Sequence, residues 1–126
     1  MGFAKGELIL EIGYGPDCDD ALRAEIAALT GTTFLEETTN EVVDAVLLWF
    51  RNDDGDLVDE LMDAMTYLTE TGPIWVLTPK VGRVGHVEPS DIQDAAPTCG
   101  LSQTSTLAVA QDWTATRLVA RKAGKR

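Results

Sequence analysis

The sequence predicts an α/β fold: a three-layer sandwich in which a mostly parallel sheet is covered by helices and closed at one edge by a C-terminal antiparallel strand pair. Three observations carry this. An aliphatic run from Leu8 to Ile12 stops at the closely spaced Gly13 and Gly15. Two further apolar runs, Asp44 to Phe50 (DAVLLWF) and Ile74 to Leu77, alternate with segments of helical period. Two short strand-like segments then end the chain.

The elements follow in order. The apolar residues Leu8, Ile9, Leu10 and Ile12, broken only by the acid Glu11, suit a strand buried on both faces, and the two glycines permit the tight turn and close backbone approach of a strand-to-helix junction. Asp19 to Leu29 carries Leu22, Ile26 and Leu29 at helical spacing, with Gly31 as its stop. Thr32 to Glu36 is expected to return as a second strand, and Thr38, Thr39 and Asn40 lead on to DAVLLWF. Asp56 caps a helix expected to reach Glu70, with Leu57, Leu61, Met65 and Leu68 on one face and Asp59, Glu60 and Asp63 mostly opposite. Thr71-Gly72-Pro73 turns into Ile74–Leu77. After Thr78-Pro79 and a glycine-rich loop, Pro89 opens a helix near Ser90 to Ala96. Strands are expected at about Ser105–Gln111 and Thr116–Arg121, joined around Trp113.

Composition narrows the function classes. A length of 126 residues, 44% hydrophobic and 25% charged, fits one compact domain over residues 1–126, with a basic tail at about 121–126. No run approaches the roughly 18 apolar residues of a membrane span, and MGFAKGELIL lacks the apolar stretch of a signal peptide, so a cytoplasmic location is expected. Residues 1–70 hold 17 acids against 3 bases, a balance of −14. Residues 71–126 hold 4 acids against 7 bases, a balance of +3. Such acidity opposes DNA binding, which needs a concentrated cationic surface rather than a tail of Arg121, Lys122, Lys125 and Arg126. The acidic half is either a solubilising surface or a docking face for a basic protein.

Several motifs are weak or absent. Cys18 and Cys99 lack metal-ligand spacing and read as free thiols. Aligning Gly55 with the glycine of a calcium loop puts Phe50 and Leu61 at ligand positions, so Asn52–Asp56 reads as a solvated, helix-capping turn. His86 is the only histidine and has no metal-ligand companions. Trp49, Trp75 and Trp113 read as core residues. No serine elbow, zinc pattern or P-loop occurs.

Two candidate sites remain. Gly13, Tyr14 and Gly15 form either a ligand-free turn or a cofactor turn. In the second case Asp17, Asp19 and Asp20 repel a pyrophosphate but tolerate a cationic sulfonium. Arg51, Lys80, Arg83 and His86 emerge at the carboxyl ends of neighbouring strands, where open α/β sheets bind ligands. They are expected either to surround an anion or to pair with surface acids.

The order of these pieces resembles a reduced methyltransferase-type Rossmann fold. Its first motif commonly reads acid-x-Gly-x-Gly-x-Gly, and Glu11, Gly13 and Gly15 match the first three fixed positions while Asp17 stands in place of the last glycine. The resemblance implies a ribose-binding acid at the end of the second strand. Glu36 or its neighbour Glu37 occupies that place, with Glu36 21 residues beyond Gly15. It also implies that the third strand and its helix are missing, together with part of the adenine-side wall. Thr78-Pro79 stands where the fold often contacts substrate, but no Asn-Pro-Pro-aromatic or Pro-Cys signature follows. The blocks VVDAVLLWFRNDDGDLVDEL, IWVLTPKVGRVGHVEPSDI and DWTATRLVARK are more specific, and they resemble a small family of uncharacterised actinobacterial proteins classified only as a domain of unknown function. The expected role is a non-catalytic, cytoplasmic binding or regulatory domain with a cleft for a small anionic or adenosyl ligand and an acidic face for a protein partner. The alternative is an S-adenosylmethionine-dependent methyltransferase.

Overall fold

A computed structural model of the chain describes residues 1–37 and 39–121. Thr38 and the tail residues Lys122, Lys125 and Arg126 lie outside the described residues. The elements run β1 (Ile9–Ile12), α1 (Asp20–Thr30), β2 (Ala45–Trp49), α2 (Leu57–Met65), β3 (Ile74–Pro79), α3 (Pro89–Thr98), β4 (Leu101–Ala108) and β5 (Trp113–Ala120). The five strands form one sheet in the order β1-β2-β3-β5-β4. The β1·β2 and β2·β3 ladders are parallel, whereas β3·β5 and β5·β4 are antiparallel. The sheet is therefore mixed, not mostly parallel. The last two strands form the expected antiparallel pair at one edge, with β5 against β3 and β4 outermost.

Period-two alternation divides the sheet's side chains between two cores. Leu10, Ile12, Val46, Leu48, Val76 and Leu118 pack beneath α2 and α3. Ile9, Leu47, Trp49, Trp75, Leu77 and Trp113 pack on the opposite face with Leu22 and Ile26 of α1. All three tryptophans are buried, and Trp49 meets Trp113 edge to face at 4.8 Å between ring centroids.

The helix boundaries have local causes. The Asp19 carboxylate accepts from the Leu22 N–H at 2.9 Å, and Gly31 ends α1 in the left-handed region at φ 73°. Asp56 caps α2, and Pro89 stands at the start of α3, where a missing N–H costs nothing.

Three expectations fail for tertiary reasons. Thr32–Glu36 does not form a strand. Leu35 alone makes a parallel bridge to Leu10, because the exposed Glu36 and Glu37 follow it at once and leave nothing further to bury. Helix α2 stops at Met65 rather than Glu70, since Tyr67 and Leu68 are drawn into a parallel bridge with Val43, with the Val43 N–H donating to the Tyr67 carbonyl at 2.8 Å. The final pair begins earlier than Ser105 and Thr116. Leu101 and Leu118 anchor it under α3, and Trp113, expected in the turn, opens β5 because its ring is buried against Trp49.

Candidate functional site

The carboxyl ends of β1, β2 and β3 lie side by side, and the Gly13–Asp20 turn leaves the first of them. Gly13 has φ 83°, and a Cβ there would collide with the Trp49 carbonyl oxygen. Only glycine lets β1 turn this close to the end of β2. Gly15 has an ordinary φ. A Cβ at that position would meet only the flexible ends of Asp17 (3.3 Å) and Arg51 (3.4 Å). The two glycines of the motif thus face different constraints.

Glu11 points to the α1 side, with 7% of its side chain exposed. Both of its oxygens are engaged: Arg23 donates from Nε (2.6 Å) and Nη2 (2.8 Å), and Trp49 donates from Nε1 (2.9 Å). Tyr14 covers the same arginine, whose guanidinium carbon lies 4.0 Å from the ring centroid, and its hydroxyl donates to Asp20 at 3.0 Å. That hydrogen bond, reinforced by the Asp20 charge, pushes the Tyr14 phenol above its ordinary range.

Arg51 latches the turn to β2. Its Nε and Nη2 donate to the Asp17 carboxylate at 2.9 and 2.6 Å, and its Nη1 donates to the Gly13 carbonyl (2.8 Å) and to Asp54 (3.1 Å). Nη2 also lies 3.2 Å from the Cys18 Sγ. The Arg51 hydrogen bonds hold the Asp17 carboxyl below the usual carboxylate range, against an opposing effect of burial. Burial is the largest influence on Cys18 and pushes its thiol up despite the arginine.

Beside this latch, on the α2 side, a cleft of about 340 Å³ is lined by Gly13, Tyr14, Glu37, Arg51, Asp54 and Glu60 over a floor of Ile12, Leu48 and Phe50. Glu36 and Glu37 are both exposed, and Glu37 is the one that lines the cleft. Burial and then the charges of Glu37, Asp63, Asp54 and Asp59 push the Glu60 carboxyl up. This is a negative recess, poorly matched to a pyrophosphate.

The four predicted basic residues divide among three recesses. Arg51 lines the cleft just described. Arg83 pairs with Asp112 at 2.8 Å beside a second recess of about 360 Å³ that includes Asp17 and Trp113. Lys80 and His86 line a third, beneath α3. The His86 Nδ1 lies 2.9 Å from the Pro79 carbonyl, and its Nε2 lies 3.5 Å from Glu88. Sequence reasoning missed Arg23 and the indole N–H of Trp49 as partners of Glu11. One signal was available. Of the three bases in the first 70 residues, two, Arg23 and Arg51, serve this end of the sheet.

Among the described residues, no cluster of histidine, cysteine or acidic side chains is arranged to hold a metal ion, and no helix is long and apolar enough to cross a membrane.

The fold has counterparts in solved structures. A putative methyltransferase from Thermoplasma acidophilum superposes with a TM-score of 0.62 at 9% identity, covering 97% of this chain and 71% of its own. A putative type 11 methyltransferase from Sulfolobus solfataricus gives 0.63 at 9% identity, covering 94% and 87%. At such identities the likeness is one of fold. Uncharacterised proteins of Mycobacterium tuberculosis and Mycobacterium bovis are 52% identical over 128 residues, spanning 100% of this chain and 80% of theirs. A family described as "Protein of unknown function (DUF3052)" matches residues 1–122. The chain therefore belongs to the DUF3052 family, built on a methyltransferase-type fold.

Proposed function

We propose that this protein is a binding or regulatory domain on a methyltransferase-type sheet, without methyl-transfer activity of its own. The carrying observation is Arg51, whose guanidinium ties the Gly13 carbonyl, Asp17 and Asp54 together across the mouth of the glycine turn. Glu11, the acid expected at a cofactor, is likewise bound by Arg23 and Trp49. A ligand at this turn must displace contacts the chain already makes with itself. The concentration of Glu37, Asp54, Asp59, Glu60 and Asp63 around the start of α2 supports an acidic face for a basic protein segment.

A second reading, an S-adenosylmethionine-dependent methyltransferase, is favoured by the cleft of about 340 Å³ beside Gly13, whose acidic lining suits a sulfonium cation. Calorimetric titration with S-adenosylmethionine and S-adenosylhomocysteine separates the two. The first reading expects no saturable heat from either. Micromolar binding, about −8 kcal/mol at a Kd of 1 μM, would overturn it in favour of the second.

A further inference from the structure

We infer that the cavity between the first turn of α3 and the β3-β5-β4 half of the sheet is a binding site for a small organic anion with an apolar body. It measures about 430 Å³, within the range in which proteins bind small molecules. It is separate from the glycine turn: its lining includes no residue of the Gly13–Asp20 segment.

The floor is a cross-strand block of threonines. Thr78 of β3 stands opposite Thr114 of β5, and Thr116 of β5 stands opposite Thr106 of β4. All four line the cavity. Further along the same face, Val76 and Leu118 are apolar and packed beneath the helices. Hydroxyls thus replace hydrocarbon where the face opens. Thr78 and Thr116 are only 4% and 3% exposed, and among the described residues neither hydroxyl has a protein hydrogen-bonding partner. The one fully enclosed side-chain nitrogen or oxygen left without a partner among those residues is Trp75 Nε1, on the other face. The two threonine hydroxyls therefore open into the cavity and are available to a ligand.

Charge decides which ligand. The chain holds 21 acids against 10 bases, yet no aspartate or glutamate lines this cavity, whereas Lys80 and His86 do. Arg51, Arg83 and His86 each lie within 4 Å of a carboxylate. Lys80 has no such partner among the described residues. The Pro79 carbonyl, which only accepts, holds the proton of neutral His86 on Nδ1. Val81, Val87, Pro89 and Ile92 supply apolar walls. A carboxylate can pair with the Lys80 ammonium and accept from the threonine hydroxyls while its hydrocarbon body lies against those walls. A cation of the same shape meets Lys80 with no acid to receive it.

The test is two-dimensional ¹⁵N–¹H NMR titration of the full chain with three probes of one shape: benzoate, neutral benzamide and cationic benzamidinium. Benzoate is expected to give saturable shifts centred on the Thr78, Lys80, Ile92 and Thr116 amides, with a Kd below about 10 mM. Benzamide should bind at least about fivefold more weakly, and benzamidinium should not saturate. Thr116→Val, which keeps the side-chain volume, and Lys80→Gln, at the surface, should each weaken benzoate about fivefold or more. An otherwise unchanged spectrum serves as the control for folding. Absence of saturable shifts at these amides, benzamidinium binding as well as benzoate, or an unchanged benzoate affinity in either variant would each overturn the assignment. The adenosyl titration probes a different recess, so the two readings fail separately.

Discussion

Replacing Arg51 with methionine keeps the hydrocarbon stem, which a Cβ at Gly85 would meet at 3.1 Å, but removes every bond of the latch. The cost can be built from the contacts. The Asp17 pair is bidentate, but that carboxylate is 53% exposed, so solvent screening limits it to about 1 kcal/mol. The Asp54 pair, at 3.1 Å and 35% exposure, adds about 0.5 kcal/mol. The Gly13 carbonyl loses a charged donor but is reached by water, which leaves a net of about 0.5–1 kcal/mol. The sum, about 2 kcal/mol, corresponds to a fall in Tm of about 8 °C for a chain of this size. In urea it corresponds to a midpoint shift of about 1 M. The pH dependence follows from Asp17. Its folded pKa lies below the unfolded value, so its contribution is present above about pH 4 and is lost as the pH falls through the lowered folded value. The stability gap between the wild type and Arg51→Met should therefore narrow progressively below about pH 4. Chemical denaturation at pH 7 and pH 3 measures both quantities. A gap under about 0.5 kcal/mol at pH 7, or one that widens on acidification, would refute the latch as a stabilising element.

Three further outcomes are expected. Gly13→Ala should cost about 3 kcal/mol or more, from left-handed strain plus collision with the Trp49 carbonyl, whereas Gly15→Ala should cost under about 1 kcal/mol; similar values by urea denaturation would contradict the division of roles between the two glycines. Trp49→Phe removes a donor to Glu11 and the indole edge against Trp113, so a loss of about 2–3 kcal/mol is expected by thermal unfolding. If the acidic half docks a basic segment, binding of an oligolysine peptide, measured by fluorescence anisotropy, should weaken several-fold as salt rises and the Debye length falls from about 10 Å at 0.1 M to about 3 Å at 1 M. Affinity independent of salt would point to an apolar contact instead.

Much of the architecture is local chemistry and could be read directly. The apolar stretches at Ile9–Ile12, Ala45–Trp49 and Ile74–Pro79 have nowhere to go but a sheet covered on both faces, and Asp19, Gly31, Asp56 and Pro89 set helix ends through their own side chains or backbone freedom. The glycine motif marked the turn correctly as a place, though not the unequal demands on its two glycines. That inequality depends on the Trp49 carbonyl, which the fold brings beside Gly13 from 36 residues away.

What only the tertiary structure decided is pairing. Whether Thr32–Glu36 becomes a strand, whether α2 continues past Met65, and whether β5 joins β3 depend on Leu10, Val43 and Trp49, each distant in sequence from the segment it governs. The same holds for charge. The sequence gathered Arg51, Lys80, Arg83 and His86 at one end of the sheet, since parallel strands share an end. Acids spread along the chain, Asp17, Asp54, Asp112 and Glu88, divide them, because an ion pair falls off within a few ångströms and is set by the final position of side chains. Periodicity and capping act over a few residues and are written in order along the chain. Hydrogen-bond partners, ion pairs and cavities act across space, and in this protein they alone separate a latched glycine turn from the threonine-floored cavity beneath α3.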